Sequence, residues 1–259
     1  RRLAPRGLIA DDVGLGKTVT AGLVARELLE RGRIESLLVV CPKSLLEQWQ
    51  EELDSKFGIK AVPAVGSDFA ELERHPFWIT SYHTARSRID TIRARKFDLL
   101  VLDEAHALRN LYGTQAPPQV AKAFEQLMRD DSVRYCLMLT ATPIQNRLWD
   151  MFSLLEVLKA PQPNPLGTPD VFRSRYIADS AARQLRRGTQ EEFRRCVSEA
   201  TIRTRRVDTR LLFPEREVRT ERLQPLPGER EYIDAALEMI LRFPKLVQIT
   251  HARTLMSSP

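Results

Sequence analysis

The chain has 259 residues, of which 43% are apolar, so it is long enough to bury the core of one large domain or one and a half. No stretch approaches the roughly eighteen uninterrupted apolar residues that span a bilayer, and Arg1–Pro5 lacks the apolar run of an export signal. We therefore expect an intracellular, cytoplasmic protein with no membrane partner. The net charge is +6 and most of the 40 basic residues are arginine, a bias typical of a GC-rich microbial source.

Short apolar runs alternate with segments of helical periodicity from Leu8 to about Leu158, which predicts repeated strand–helix units on a parallel sheet. The runs do not alternate with polar residues, so the strands should be buried on both faces. The predicted strands are Leu8–Ala10, Leu37–Cys41, Phe77–Thr80, Leu99–Asp103 and Cys136–Thr140. The predicted helices are about Lys17–Glu30, Leu45–Lys56, Gln119–Met128 and Arg147–Leu158. This pattern predicts an α/β fold with helices on both faces of the sheet.

A phosphate-binding loop follows the first predicted strand. The sequence DDVGLGKT begins at Asp11 and leads into a helix, the context that such a loop requires, although the general pattern has glycine at the first position. Glycines let backbone N–H groups point at phosphate oxygens, and the helix N-terminus adds positive potential. Lys17 should reach the β- and γ-phosphates of ATP, and the Thr18 hydroxyl should ligate Mg²⁺. The predicted phosphate-binding residues are Asp12, Gly14, Leu15, Gly16, Lys17 and Thr18.

An acidic pair follows the strand at Leu99, at the carboxyl edge where ligands bind in open α/β sheets. Asp103 should hold Mg²⁺ through water, and Glu104 should orient and polarise the attacking water. A lone Asp-Glu pair usually lies in a solvated turn, but a phosphate loop upstream favours the catalytic interpretation. The predicted catalytic residues are Glu104, Asp103 and Lys17, and the predicted metal ligands are Thr18 and Asp103.

Two threonines follow the next strand, within the sequence LTATPIQN that ends at Asn146. The hydroxyls of Thr140 and Thr142 are suited to hydrogen-bond both the acidic pair and another lobe, so that phosphate state would alter lobe geometry. A strand-to-helix turn in which Asn146 caps the following helix is compatible with this role.

Cysteines and charge complete the pattern. The three cysteines form no C-x-x-C pair, and Cys41 and Cys136 lie in apolar runs, so we expect reduced thiols rather than a zinc site or disulfides. Four prolines within Pro161–Pro169 mark a boundary. The mostly helical segment from Arg173 to Arg222 carries a positive excess as large as that of the whole chain. Either a polyanionic partner or a solvated helical face explains this charge.

The blocks DDVGLGKT, DEAH and LTATPIQN together resemble motifs I, II and III of superfamily-two helicases, and their details resemble the Swi/Snf branch, which has aspartate at the first loop position. The resemblance extends over nearly the whole chain. Further matching stretches are Leu38–Trp49 with motif Ia, Ile79–Tyr82 with motif Ib, Arg109-Asn110 after DEAH, Arg203–Asp208 with the end of the first lobe, and Met256–Pro259 with the junction to the second. The phosphate loop is similar to that of RapA-type proteins, and TPIQN is nearer to chromatin-remodelling and phage-defence relatives.

This resemblance implies the first RecA-like lobe of an ATP- and Mg²⁺-dependent motor. The residues that it implies for contact with DNA phosphates, which position a duplex without reading its sequence, are Lys43, Ser44, Thr80 and Tyr82. Those implied for coupling are His106, Thr140, Thr142 and Gln145. Trp49 is interpreted as a core residue rather than a base-stacking platform, and Arg203–Arg206 is expected away from the phosphate edge.

The adenine-recognising glutamine motif and motifs IV to VI do not occur in the sequence, so we expect a piece of a longer protein whose second RecA-like lobe is missing. The predicted domains are residues 1–160 as the ATP-binding lobe, 161–222 as a Pro-rich loop and basic helical extension that closes it, and 223–259 as a helical connection. An interruption is expected at Phe213-Pro214, and a last helix from about Glu229 to Ile240.

Three functions remain open. The first is a double-stranded DNA translocase. The second is the motor of an unwinding helicase or of a restriction or phage-defence complex. The third is a nucleotide-gated DNA-binding module, which suits the isolated chain because it should hydrolyse ATP very weakly on its own. Protein partners are not predicted by the sequence.

Overall fold

The computed structural model describes residues 6–64, 74–113, 116–130, 132–209 and 227–243. The chain divides into two compact units, Arg1–Leu211 and Leu212–Pro259. The interruption expected at Phe213-Pro214 and the junction expected at Met256–Pro259 lie outside the described residues.

A parallel sheet of seven strands forms the centre of the first unit. The strands are β1 (Arg6–Ile9), β2 (Leu37–Cys41), β3 (Val62–Pro63), β4 (Phe77–Ser81), β5 (Leu99–Leu102), β6 (Tyr135–Leu139) and β7 (Thr201–Ile202). Their order across the sheet is β3-β4-β2-β5-β6-β1-β7, and every neighbouring pair is parallel. The predicted α/β, RecA-like architecture is confirmed, and each predicted strand occurs within a residue or two of its expected position.

Two strands, β3 and β7, were not predicted. Each has two residues, too few to produce an apolar run in the sequence. Both lie at the edges of the sheet, where a short strand needs only one neighbour.

Helices of the first unit cover both faces of the sheet. They are α1 (Lys17–Glu30), α2 (Leu46–Phe57), α3 (Tyr82–Ser87), α4 (Ile89–Arg95), α5 (Gln119–Arg129), α6 (Leu148–Lys159), α7 (Pro169–Tyr176) and α8 (Gln190–Ser198). The second unit contains α9 (Pro227–Ile240). Val39 and Val101 enter one buried cluster with residues of α1 and α2. Val40 and Leu102 enter a second cluster with residues of α5, α6 and α7. Successive side chains of a strand point to opposite faces, so the central strands are buried on both, as their apolar runs predict.

Helix α6 begins differently from the expectation. One carboxylate oxygen of Asp150 accepts hydrogen bonds from the N–H groups of Gln145, Asn146 and Arg147, at 3.1, 3.0 and 3.2 Å. The predicted cap by the Asn146 side chain is therefore wrong, because Asp150, inside the first turn, satisfies these donors and its negative charge suits the positive end of the helix.

The segment after the prolines packs on the lobe, since β7 pairs with β1 and Phe172 and Phe193 enter the larger core. The predicted divisions after residues 160 and 222 stay predictions. Burial raises the pKa of the Cys41 and Cys136 thiols to about 12, and both pack as small apolar groups, as predicted. Among the helices that the structure describes, none combines the length and hydrophobicity of a membrane-spanning segment.

Candidate functional site

Three adjacent strands bring the predicted nucleotide residues to one edge of the sheet. β1 leads into the phosphate loop, β6 into Thr140 and Thr142, and β5 into Asp103 and Glu104. β2, on the other side of β5, leads into Lys43, and its neighbour β4 leads into α3. Parallel strands end at a common edge, which is where open α/β sheets bind ligands. The nucleotide residues and the predicted nucleic-acid residues therefore form two neighbouring halves of one edge.

The phosphate loop has the backbone that its glycines permit. Gly14 and Gly16 have φ angles of 85° and 77°, in the left-handed region that residues with a Cβ atom rarely adopt. Lys17 bends back over the loop, and its Nζ donates to the carbonyl oxygens of Asp11 at 3.0 Å and of Asp12 at 3.3 Å. The predicted phosphate-binding residues are consecutive or nearly so along this loop and the start of α1: Asp12, Gly14, Leu15, Gly16, Lys17 and Thr18.

A later segment, Thr201–Asp208, runs alongside the phosphate loop, and we call it the strap. The N–H of Asp12 donates to the carbonyl of Thr204 at 3.1 Å, and the N–H of Thr204 donates to Asp11 Oδ1 at 2.6 Å. The N–H of Arg206 donates to Asp12 Oδ2 at 3.0 Å. The contact explains why Asp11 occupies the first loop position in place of the usual glycine, because its carboxylate binds the strap. The side chain of Asp12 accepts from the strap in the same way, and its N–H also donates to the strap, so the role of Asp12 in phosphate binding stays a prediction.

The expected location of Arg203–Arg206 is wrong. Arg206 lies at the phosphate loop, where its Nε and Nη2 donate to the Val13 carbonyl at 2.9 and 2.6 Å. Arg203 Nη2 lies 3.9 Å from Asp12 Oδ1. The reason is topological: β7 is parallel to β1, so the chain leaves both strands at the same edge.

Asp103 is nearly buried and held by two donors. Its Oδ2 accepts from the indole Nε1 of Trp49 at 2.8 Å, and its Oδ1 accepts from the N–H of Glu104 at 2.8 Å. Burial raises the pKa of the Asp103 carboxyl, and the hydrogen bond from Trp49 and the charge of Lys17 act in the opposite direction. Asp103 therefore has a fixed orientation, and it lies within electrostatic reach of the phosphate-loop lysine.

Glu104 adopts a left-handed backbone, with φ 49° and ψ 47°. For a residue with a side chain this conformation costs roughly 1–2 kcal/mol, and such strain is concentrated at functional sites. The carboxylate stays about one third exposed, and its Oε2 lies 2.9 Å from Nδ1 of His106. The turn thus presents Glu104 at the open edge beside one of the predicted coupling residues.

The other predicted coupling residues lie on the loop after β6. Thr140 is fully buried, and its hydroxyl oxygen accepts from the N–H of Thr142 at 3.2 Å. Gln145 is exposed, and its side-chain oxygen accepts a hydrogen bond from Arg109, which follows the acidic turn. A side-chain contact therefore links the loop after β6 with the segment after β5.

Two of the four predicted DNA-contacting residues are exposed, and the side chains of the other two point inward. Lys43 and Ser44 are exposed on a short 3₁₀ helix that follows β2. Thr80 is fully buried, and its hydroxyl donates to the carbonyl of Ala64 at 2.8 Å. Its prediction as a phosphate contact is wrong for this structure, since a buried hydroxyl that already has a partner cannot reach a duplex.

Tyr82 also points inward. Its hydroxyl donates to the backbone carbonyl of Asp103 at 2.8 Å, and its ring packs edge-on against Phe124. Burial and the nearby charge of Asp103 raise the pKa of the phenol well above its ordinary value. The predicted DNA contact through this hydroxyl is wrong here, because the group supports the acidic turn instead.

Sequence reasoning missed the roles of Trp49 and Arg206. Trp49 is buried as predicted, yet its N–H binds Asp103. A buried tryptophan usually finds a hydrogen-bond partner, and this was the available signal. For Arg206, a carboxylate at a loop position that normally has glycine was an indirect sign of an extra partner at the loop.

Comparison with known proteins agrees with this geometry. The model of the SNF2-related domain family matches residues 2–241. An ATP-dependent helicase of Bacillus subtilis, YqhH, described as uncharacterized, is 35% identical over 231 residues, which are 88% of this chain and 38% of that protein. The RNA polymerase-associated protein RapA of Erwinia tasmaniensis is 35% identical over 169 residues, which are 61% of this chain and 17% of that protein.

Solved structures show the same fold. The SWI2/SNF2 ATPase core of Sulfolobus solfataricus in complex with dsDNA matches with a TM-score of 0.66 and 22% identity, over 96% of this chain and 53% of that one. A second structure, of the SWI2/SNF2 ATPase core domain of the same organism, matches with a TM-score of 0.62 and 22% identity, over 96% of this chain and 51% of that one. The chain thus spans well under half of the two curated relatives and about half of the structural ones.

Proposed function

Since the chain belongs to the SNF2-related domain family, we propose that it is the ATP-binding first motor lobe of a protein that translocates along double-stranded DNA. The observation that carries this proposal is the convergence of the phosphate loop, Asp103 and Glu104 at the carboxyl ends of three adjacent strands. The relatives are longer than this chain, so the proposal includes a second RecA-like lobe.

Nucleotide binding begins at the phosphate loop. Its backbone N–H groups and the N-terminus of α1 form an anion site for the β- and γ-phosphates of ATP. The ammonium of Lys17 leaves the carbonyls of Asp11 and Asp12 and binds the phosphate oxygens, which are stronger acceptors because they are charged.

Thr18 and Asp103 would hold Mg²⁺. A hydroxyl oxygen and a carboxylate are hard donors that suit this ion, and their small number fits its tendency to keep several waters. The fixed orientation of Asp103, held by Trp49, also suits a metal ligand. The ion would neutralise charge that develops on the phosphates.

Glu104 orients the attacking water and accepts its proton. Its carboxylate is partly exposed at the sheet edge. It follows β5, which is separated from β1 and the phosphate loop by β6 alone. His106 lies within contact of this carboxylate and positions it. Gln145, held by Arg109, and the Thr140–Thr142 turn would carry the state of the site to the second lobe.

Lys43 and Ser44 would contact DNA phosphates in the neighbouring half of the edge. Both are exposed, and contacts of this type position a duplex independently of its sequence. One structural relative is described as a complex with dsDNA, which supports the choice of duplex as the track.

Strand separation is the second candidate function, because one relative is named as an ATP-dependent helicase. The full-length protein should displace a third strand from a triplex in an ATP-dependent manner without separating the duplex. Separation of a flanked duplex would favour the helicase or a defence-complex motor. Nucleotide-dependent DNA binding without turnover would favour a gated binding module.

A further inference from the structure

We propose that Arg206 is a positioning residue of the phosphate loop, which holds the Val13 carbonyl so that the following amide faces the nucleotide. The inference rests on the proposed nucleotide-binding function and assigns part of that function to the strap. Arg206 lies far from the loop in sequence, 193 residues after Val13.

The contact fixes the direction of one peptide group. Two N–H groups of the Arg206 guanidinium, Nε and Nη2, donate to the single carbonyl oxygen of Val13 at 2.9 and 2.6 Å. In a trans peptide the C=O and the next N–H point in opposite directions. Holding the Val13 carbonyl toward the strap therefore directs the N–H of Gly14 away from the strap, as a donor for phosphate oxygen.

The strap is anchored independently of this side chain. β7 pairs in register with β1, and beyond it the N–H of Ala10 donates to the carbonyl of Ile202 at 2.7 Å. The carboxylates of Asp11 and Asp12 then accept the N–H groups of Thr204 and Arg206. These contacts align the backbone at Arg206 with the loop without any help from the guanidinium. The bond from the guanidinium to Val13 is therefore one part of a continuous interface between the strap and the loop.

Gly14 fits this arrangement. A Cβ atom built on Gly14 would lie 3.3 Å from Arg206 Nη2, and the residue has a φ of 85°. The absence of a side chain allows the guanidinium to lie over the loop. A flat fork with several donors suits this close approach better than the tetrahedral ammonium of lysine.

The adjacent residue provides a matched control. Arg205 forms a two-donor pair with Asp208, with both contacts at 2.8 Å, and is exposed. Replacing Arg205 removes the same charge from the same strap without removing the bond to Val13.

The test compares the full-length protein with Arg206→Ala, Arg206→Lys and Arg205→Ala variants. We would measure the Kd for ATP and for ADP and the unfolding temperature with and without nucleotide. Arg206→Ala should raise both Kd values about tenfold, which corresponds to about 1.4 kcal/mol. Arg206→Lys should restore part of the affinity through one donor, and Arg205→Ala should bind as the unchanged protein does.

The unfolding temperature separates positioning from a general structural role. Without nucleotide, Arg206→Ala should unfold at the temperature of the unchanged protein, and only the rise caused by ADP should shrink. Three results would each overturn the inference. They are unchanged affinity in Arg206→Ala, equal weakening by Arg205→Ala, and a lower unfolding temperature of Arg206→Ala in the absence of nucleotide. If the unchanged protein bound no nucleotide, the proposed function itself would be wrong.

Discussion

Trp49 donates its indole N–H to Asp103 at 2.8 Å, so the helix after β2 holds a carboxylate at the end of β5. Tyr82, at the end of β4, donates to the carbonyl of the same aspartate. Two elements from the proposed DNA-facing half of the sheet edge thus support the proposed metal ligand. If DNA binding shifted either element, the position of the Asp103 carboxylate would change with it. In the proposed function, this is a physical route by which DNA would stimulate ATP hydrolysis.

Replacing Trp49 with phenylalanine should remove the hydrogen bond that holds the Asp103 carboxylate. The change keeps an aromatic ring but leaves a buried carboxylate oxygen without its donor, at a stability cost of about 1–3 kcal/mol. We expect DNA-stimulated hydrolysis to fall about tenfold or more in steady-state assays, in proportion to the misplacement of Asp103. Trp78→Phe is the matched control, because that buried indole donates to the His75 carbonyl and not to the site. Equal losses of turnover in both variants would count against the role of Trp49.

Glu104→Gln should preserve ATP binding and nearly abolish turnover, since an amide cannot accept the proton of the attacking water. General-base catalysis contributes about 10²–10⁴ in rate, and we expect a loss of this size. Single-turnover hydrolysis alongside nucleotide binding would measure both properties. Near-normal hydrolysis would remove Glu104 from its proposed role.

Lys17→Ala should weaken binding of the triphosphate. The ammonium is expected to move from two loop carbonyls to the phosphates, so its removal takes away a charged donor for the ligand but only neutral contacts in the free protein. Equilibrium titration with ATP would test this, with duplex DNA affinity in the absence of nucleotide as the control that should remain unchanged. An unaltered Kd for ATP would contradict the loop assignment.

Lys43→Ala should weaken duplex binding and reduce its salt dependence. Each phosphate contact contributes roughly 0.9 to the logarithmic salt slope, so the slope should fall by about one unit, without any change in sequence preference. Thr80→Val is the control, since the buried hydroxyl of Thr80 bonds to Ala64 and should not affect the salt slope. Titrations at several salt concentrations distinguish the two, and a flat salt response of the unchanged protein would contradict phosphate tracking.

Asp11→Gly should be harmful although it restores the more general phosphate-loop sequence. The Asp11 carboxylate accepts the N–H of Thr204 at 2.6 Å, and its loss leaves a part-buried donor unpaired at a cost of about 1–3 kcal/mol. Denaturant unfolding should show this loss, and nucleotide affinity should fall with it. Asp11→Asn keeps an oxygen acceptor and should retain most of the stability. If the unchanged protein, Asp11→Gly and Asp11→Asn were equally stable, the contact between Asp11 and the strap would not contribute to stability.

The central strands and the nucleotide motifs were predictable because their signals are local. An apolar run such as Leu37–Cys41 and a loop such as the one ending at Thr18 carry their structural requirements within a few residues. The direction of a side chain at the end of a strand depends on the neighbouring elements instead. Thr80 and Tyr82 follow one another closely in a motif, yet one binds Ala64 and the other binds Asp103.

The strap was not predictable from local pattern. β7 has two residues, and its pairing with β1 depends on a neighbour almost two hundred residues earlier in the chain, as the 193-residue separation of Arg206 from Val13 indicates. Charge alone suggested a solvated face or a polyanionic partner for this segment. The contact with the phosphate loop arises from parallel topology, which composition does not encode.

The position of β1 between β6 and β7 has a consequence for the order of folding. Leu8 pairs with Met138 on one side and with Thr201 on the other, so both neighbours of the first described strand come late in the chain. Loop-closure entropy makes such distant pairings slow, and domains acquire structure as they are synthesised from the N-terminus. Before synthesis has reached Thr201, one edge of β1 lacks its partner β7, and the phosphate loop lacks its contacts with the strap. The ability to bind nucleotide should therefore arise late in biosynthesis, after β2, β4 and β5 have been able to associate, and ATP affinity would report completion of the lobe.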